Sequence, residues 1–247
     1  MNSISNKITL LMMASKPDLM MQAVAAVTRT FPIYHEFLIA PAPELAEKDL
    51  EQLRAIPRVR FVPGTSDKDK AGEVRYGMLD LAAGDWIVNV DDDDLWYYQP
   101  TDLSALPPEI GLVSGSCQFV RFDRDPRSRG AVLLKRARPI KVPAESSALG
   151  GSFWAVRKKA WDSVSAKISR EWWYSDWRMA YYIVHHGWRH HYVQQILGLV
   201  RSFGSVYPTG PEWEWPRYCA ALEEKLRADK IEPGIFSGKG PTDGSST

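Results

Sequence analysis

The sequence predicts an α/β fold: a mostly parallel central sheet flanked by helices, in a single compact domain. Short apolar runs rich in β-branched residues alternate with longer amphipathic stretches through the first ninety or so residues. That β-α-β-α-β-α-β rhythm is what parallel sheets covered by helices produce. Four consecutive acids, Asp91-Asp92-Asp93-Asp94, then follow the apolar run Trp86-Ile87-Val88-Asn89-Val90. Acids in that position lie at the carboxyl end of a buried strand, where open α/β sheets bind ligands.

The elements follow in order. Lys7 to Met13 reads as the first strand, and Pro17 is suited to the first turn of the next helix. Met20, Met21, Val24, Ala25 and Val27 supply that helix's buried stripe. Glu36 to Ala40 is a second strand, Pro43 to Ala55 an acidic surface helix, and Val59 to Val62 a third strand. A polar loop, Thr65 to Lys70, enters a helix from Ala71 to Ala83, with Gly84 as its stop and Trp86 to Val90 as the fourth strand.

The second half changes character. Gly111 to Val120 reads as a strand, and Ala131 to Leu134 as a hairpin strand inside a basic stretch from Arg121 to Lys141. Gly150-Gly151-Ser152 forms a glycine loop entering a strand that ends near Val156, followed by a short helix over Lys158 to Ile168. Ser175 is a good N-cap for a helix from Asp176 to His186 stopped by Gly187, and Trp188 to Gln194 returns as a strand. Pro211 to Pro216 reads as an aromatic loop and Tyr218 to Ala228 as an amphipathic helix. The expected organisation is one domain over residues 1–236, with a ligand-binding half to about 100, an acceptor-facing half over 101–236, and a disordered tail at 237–247.

Composition narrows the function classes. A formal net charge of +1 over 247 residues implies no global attraction to nucleic acid or anionic membrane. The apolar start, Ile8 to Met13, is too short to span a bilayer, and Cys117 and Cys219 form no motif. A soluble, reduced, cytoplasmic protein is the expectation. No G-x-G-x-x-G follows the first strand and no G-x-x-x-x-G-K-[ST] occurs, which argues against a dinucleotide-binding dehydrogenase or a P-loop NTPase. The acid run itself admits two readings, a divalent-metal site for a phosphorylated ligand or a solvated acidic turn.

Its neighbours decide between them. Arg75, Ala82-Ala83-Gly84-Asp85 and Val90-Asp91-Asp92-Asp93-Asp94-Leu95-Trp96 resemble the core of family 2 glycosyltransferases, where a helix carrying an Arg and ending A-x-G-D leads into a strand and a D-x-D-D element. Gly150-Gly151-Ser152 with Val156-Arg157-Lys158 is similar to that family's second glycine-and-strand segment. Tyr174-Ser175-Asp176-Trp177-Arg178, with Gly187 eleven residues beyond Asp176, resembles its E-D helix. Leu199-Val200-Arg201-Ser202-Phe203-Gly204-Ser205 resembles its Y-R-x-H-x-x-S stretch. The ordered set covers most of residues 7–206. Ser175 replaces the Glu of E-D, Tyr76 the Asn after the helix Arg, and Phe203 the His of the last stretch. The apolar Ala40 to Pro43 lacks the acid that often follows strand two, and no Q-x-x-R-W follows Asp176, which argues against processive synthesis.

The resemblance implies a GT-A-like, Rossmann-related fold and a metal-dependent, inverting, non-processive glycosyltransferase using a nucleotide sugar, a UDP-sugar by family habit. It implies Asp93 as ligand to Mn²⁺ or Mg²⁺, Asp91 as ligand to metal or ribose, and Asp176 as the base that deprotonates the acceptor hydroxyl. Because the run is degenerate, a D-x-D pair on Asp92 and Asp94 is the alternative to a supporting or structural role for those two acids. Ser15, Arg75, Asp92 and Arg201 are candidates to bind the nucleotide sugar. A bound cation neutralises the diphosphate as it leaves, and a carboxylate takes up the acceptor's proton. Ser15, Lys16 and Asp18 follow strand one, where the family approaches the base and ribose. Each assignment has a plainer counterpart: Asp176 as a helix-dipole partner, the arginines as surface pairs, and Ser15, Lys16 and Asp18 as helix initiation.

Trp96, Tyr97, Trp172, Trp173 and Trp177 could face sugar or acceptor, or pack the core. His185-His186 and His190-His191 read as helix-end and surface groups rather than metal ligands. The acceptor is undetermined: a glycan, a lipid-linked glycan or, given the basic stretch Arg121 to Lys141, a modified base of DNA. A non-catalytic nucleotide- or glycan-binding module is the remaining alternative.

Overall fold

A computed structural model shows the fold, and describes residues 7–67, 70–122, 134–140, 153–168 and 175–203. Nine strands among them form one sheet: β1 (Ile8–Ala14), β2 (Glu36–Pro41), β3 (Val59–Phe61), β4 (Trp86–Asp91), β5 (Leu95–Trp96), β6 (Ile110–Phe122), β7 (Leu134–Ile140), β8 (Trp154–Arg157) and β9 (Arg189–Phe203). The order is β3-β2-β1-β4-β8-β6-β9-β5, with β7 added against β6. The first four sheet positions are all parallel. β8 reverses direction between β4 and β6, whereas β6 and β9 pair in parallel. Counting directions, β1, β2, β3, β4, β6 and β9 run one way and β5, β7 and β8 the other, so the sheet is mostly parallel.

Alternation along the strands builds a core on each face. Leu11, Leu38 and Ile87 point to one side, where they meet Tyr76 and Leu79 of α3 (Ala71–Leu81), Trp161 of α4 (Lys158–Val164) and Tyr181 of α5 (Ser175–His185). Leu10, Met12, Phe37, Ile39 and Val88 point to the other, against Met20, Val24 and Val27 of α1 (Pro17–Thr30) and Leu53 of α2 (Glu47–Arg54). These strand residues, Leu11 among them, are completely or almost completely buried. Truncating Leu11 to Ala would cost about 2–5 kcal/mol.

Several expectations hold and some change. Pro17 opens α1, but the buried stripe runs through Leu19, Met20, Ala23, Val24, Ala26 and Val27, and Ala25 faces solvent. The acidic helix begins at Glu47 rather than Pro43. Helix α3 ends at Leu81 with an extended Ala82, so Gly84 is not its left-handed cap. Gly84 is instead required by packing, since a Cβ there would stand 2.6 Å from the Thr9 backbone nitrogen. Gly187 does stop α5, with a positive φ of 88° that suits glycine. Strands β6 and β9 extend beyond the expected limits. The glycine loop 150–152, the loop 211–216, the helix 218–228 and the tail 237–247 lie outside the described residues. Among the described residues no helix is long and apolar enough to cross a membrane.

Candidate functional site

The acid run leaves β4 at its carboxyl end, beside the turn from β1 into α1, and the fold assigns its members different tasks. Asp92 is 4% exposed and its carboxylate is taken up by the chain. Asp92 Oδ2 accepts from Ser15 N at 2.5 Å, Ser15 Oγ at 2.9 Å and Lys16 N at 2.8 Å. These are donors at the start of a helix, which prefer an anionic partner. Asp94, also 4% exposed, accepts the Arg201 backbone N–H at 3.0 Å and so ties β9 to the acid turn. Its own N–H closes the turn on Asp91 O at 3.2 Å.

Asp91 and Asp93 remain accessible, with side chains 36% and 19% exposed. Asp91 is oriented by Asn89 Nδ2 at 3.1 Å and by Arg75 Nη2 at 3.4 Å. Asp93 Oδ2 accepts from Lys16 Nζ at 2.5 Å. Burial holds the Asp93 carboxyl above the usual carboxylate range; Lys16 opposes this, while Asp92 and Asp91 reinforce it. Burial works against the Lys16 charge too, but Asp92 and Asp93 outweigh it and hold Lys16 above the ordinary lysine value.

Arg201 enters from β9 and is 6% exposed. Its Nε donates to the Asp93 carbonyl and its Nη1 to Gln22 Oε1 at 2.7 Å. Arg201 Nη2 is buried and makes no hydrogen bond among the described residues. A buried guanidinium donor with spare capacity beside the acids suits an anionic ligand.

Helix α3 links this cluster to the proposed base. Arg75 reaches Asp91, and its neighbour Tyr76, 1% exposed, packs on Trp161 with ring centroids 5.3 Å apart. Burial raises the Tyr76 hydroxyl above its ordinary value; Arg178 pulls it down and Asp176 pushes it up. Asp176 lies in the first turn of α5 and is partly buried, and Arg178, two residues on, is fully buried. The sequence candidates Arg75, Asp91, Asp92, Asp93 and Arg201 thus meet at one end of the sheet, Ser15 joins them through Asp92, and Asp176 adjoins them across Tyr76.

Aromatic candidates separate. Trp96 is core, packed edge-on against Phe31 and Phe153 with its Nε1 donating to Asn89 O at 3.0 Å. Tyr97 is 42% exposed. Trp172 and Trp173 lie outside the described residues. The basic stretch is seen as backbone, in the end of β6 and in β7, while residues 123–133 and Lys141 lie outside the described residues. His190 Nε2 meets Ser114 Oγ at 2.8 Å, away from the acids.

Sequence reasoning placed Lys16 near base and ribose or in helix initiation but not on Asp93, and it missed the link between Asp94 and Arg201. The lysine's place in the β1–α1 turn was its signal. The pairing of Asp94 with β9 spans 107 residues and leaves no local pattern.

No protein-family model and no curated protein matches the sequence. Solved structures do match. One is the mannosyltransferase PcManGT from Pyrobaculum calidifontis, in complex with GDP-Man and Mn²⁺, with a TM-score of 0.61 and 15% identity. The fold is shared with a glycosyltransferase. The match covers 92% of this chain and 65% of that one, so this chain spans a little under two thirds of its neighbour's length. It is one of 270 matching chains.

Proposed function

We propose that this protein is a metal-dependent, inverting, non-processive glycosyltransferase that moves a sugar from a nucleotide sugar to an acceptor hydroxyl. The observation that carries this reading is the division of the acid run. Asp92 and Asp94 are taken up by main-chain donors of the framework, which leaves Asp91 and Asp93 as the more accessible carboxylates of the run. Among the described residues no three His, Cys, Asp or Glu form a complete metal cage. Two carboxylates completed by substrate phosphate oxygens are nevertheless a normal way to hold Mg²⁺, and Mn²⁺ suits the same oxygen donors. The residues fit such a cation. When bound, it supplies a Lewis acid that neutralises the departing diphosphate.

The chain's own residues do the rest. Arg201, with Nη2 to spare, binds the diphosphate, and Arg75 keeps Asp91 oriented toward cation or ribose. Asp92 and Ser15 hold the β1–α1 turn in place, a positioning role for both. Asp176 accepts the acceptor hydroxyl's proton as the oxygen attacks the anomeric carbon and the nucleotide leaves from the opposite face. The family resemblance favours a UDP-sugar, whereas the structural neighbour's donor is GDP-Man.

Thermal-shift titration with UDP-, GDP-, CMP- and dTDP-sugars, with and without Mn²⁺, tests the donor reading, because binding to the native state raises Tm. A metal-dependent rise with one nucleotide class is expected. No shift with any of them would overturn it. For the base, Asp176→Asn should lower kcat by about 10²–10⁴-fold with donor binding retained; unchanged turnover would remove Asp176 from the chemistry.

A further inference from the structure

Lys16 sits where the functional reading and the geometry compete. Its backbone is pinned, since Lys16 N donates to Asp92 Oδ2 at 2.8 Å and Pro17 follows at once as the start of α1. Its ammonium lies 2.5 Å from Asp93 Oδ2 and 3.3 Å from Asp92 Oδ1. The lysine side chain is 41% exposed against 19% for Asp93, and its ammonium occupies one oxygen of the carboxylate proposed to hold a cation. Ammonium and divalent cation cannot share Asp93 Oδ2 without strong repulsion, because Mg²⁺ requires an oxygen at about 2.0–2.1 Å.

Resting on the donor-site reading above, we infer that Lys16 is a resident counter-ion of Asp93 that a divalent cation displaces, and whose ammonium then turns to the donor's phosphates. The anchored backbone supplies a fixed pivot, and the four-carbon stem with its rotatable donors supplies the reach. Asp92 keeps its main-chain bonds to Ser15 and Lys16 throughout, so the turn does not open when the ammonium leaves. The opposing groups are already in place: Asp91, Asp92 and Asp93 on the acidic side, Arg75 at Asp91 and Arg201 at the Asp93 carbonyl on the basic side.

Two consequences follow from this exchange. A divalent cation alone has to evict a lysine that gains no new partner, and binds weakly. With a nucleoside diphosphate present, the evicted ammonium is paired by phosphate, so cation and nucleotide bind together more tightly than either alone.

The test is Mn²⁺ binding followed by electron paramagnetic resonance on the wild-type chain, Lys16→Met and Lys16→Gln, alone and with saturating GDP or UDP. Without nucleotide, both variants should bind Mn²⁺ more tightly than wild type, by up to about fivefold, the scale of one lost exposed ion-pair competitor. With Mn²⁺ saturating, both should bind the nucleotide more weakly, by up to about fivefold. Lys16→Gln keeps a neutral hydrogen-bond donor for Asp93 should the methionine variant fold poorly. Equal or weaker Mn²⁺ binding by both variants, or nucleotide affinity equal to wild type, overturns the role of Lys16 alone. Wild-type protein that takes up no Mn²⁺ with either nucleotide overturns the donor-site reading beneath it.

Discussion

Asp92→Ala isolates the framework half of the acid run. The substitution deletes an acceptor for Ser15 N, Ser15 Oγ and Lys16 N, and it removes one of two carboxylates facing Lys16 Nζ. Asp92 is 4% exposed, whereas Ser15 is exposed and Lys16 partly so, and water reaches part of what the substitution abandons. Losing the hydrogen bonds to this charged acceptor costs about 1.5–3 kcal/mol. For a chain of this size that is a fall in Tm of about 3–12 °C. Asp93→Asn removes the same charge one residue away and should act oppositely. A carboxyl held above its usual range is less favourably ionised in the native state than in the unfolded chain. Neutralising it therefore leaves Tm at neutral pH unchanged or raised. Parallel calorimetry of the two variants without ligand is the assay. A loss below about 1 kcal/mol for Asp92→Ala, or equal losses for both, would refute the division of the acids.

Two further outcomes are expected. Glu36 joins three strands and the end of α3: Oε1 accepts from Thr9 Oγ1 at 2.9 Å and Ala83 N at 2.6 Å, and Oε2 from Arg60 Nη2 at 3.0 Å. Burial pushes its carboxyl up, but the Ala83, Thr9 and Arg60 bonds outweigh this and hold it below the usual range, so its stabilisation is present above the unfolded value and lost as pH falls through the native one. Glu36→Gln should therefore lower Tm at pH 7, with the difference from wild type shrinking as pH falls below the ordinary Glu range; a difference independent of pH would contradict the assignment. Cys117 is buried, and burial followed by the Asp94 charge pushes its thiol up to about 12, so in a Cys219→Ser background native protein should resist alkylation at pH 8. Rapid labelling at stability-preserving conditions would show that the β6 region opens.

Much of the fold was legible because its signals are local. The strands of the first half announce themselves as short apolar runs, and Pro17 marks the first helix. The reversed β8 was not legible, because strand direction depends on a crossover between residues far apart in sequence. Within the site, the acid run was visible but its division was not. Nothing local distinguishes Asp92 from Asp93; the difference is made by the main-chain donors of Ser15 and Lys16, more than seventy residues earlier. Family resemblance placed weight on Asp91 and Asp93, and burial supplies a physical reason for that weight. Trp96 went the other way, since an aromatic residue after an acidic run fits a sugar platform as readily as the core it occupies.

In the function proposed above, Asp91 and Asp93 hold a divalent cation together with a nucleoside diphosphate. Its most direct test is the nucleotide-dependent binding of Mn²⁺ to wild type, Asp93→Asn and Asp176→Asn, measured by calorimetric titration into protein containing GDP or UDP. Wild type and Asp176→Asn should take up Mn²⁺ tightly, and Asp93→Asn should lose that uptake while remaining fully folded. Mn²⁺ and nucleotide binding undiminished in folded Asp93→Asn would contradict it.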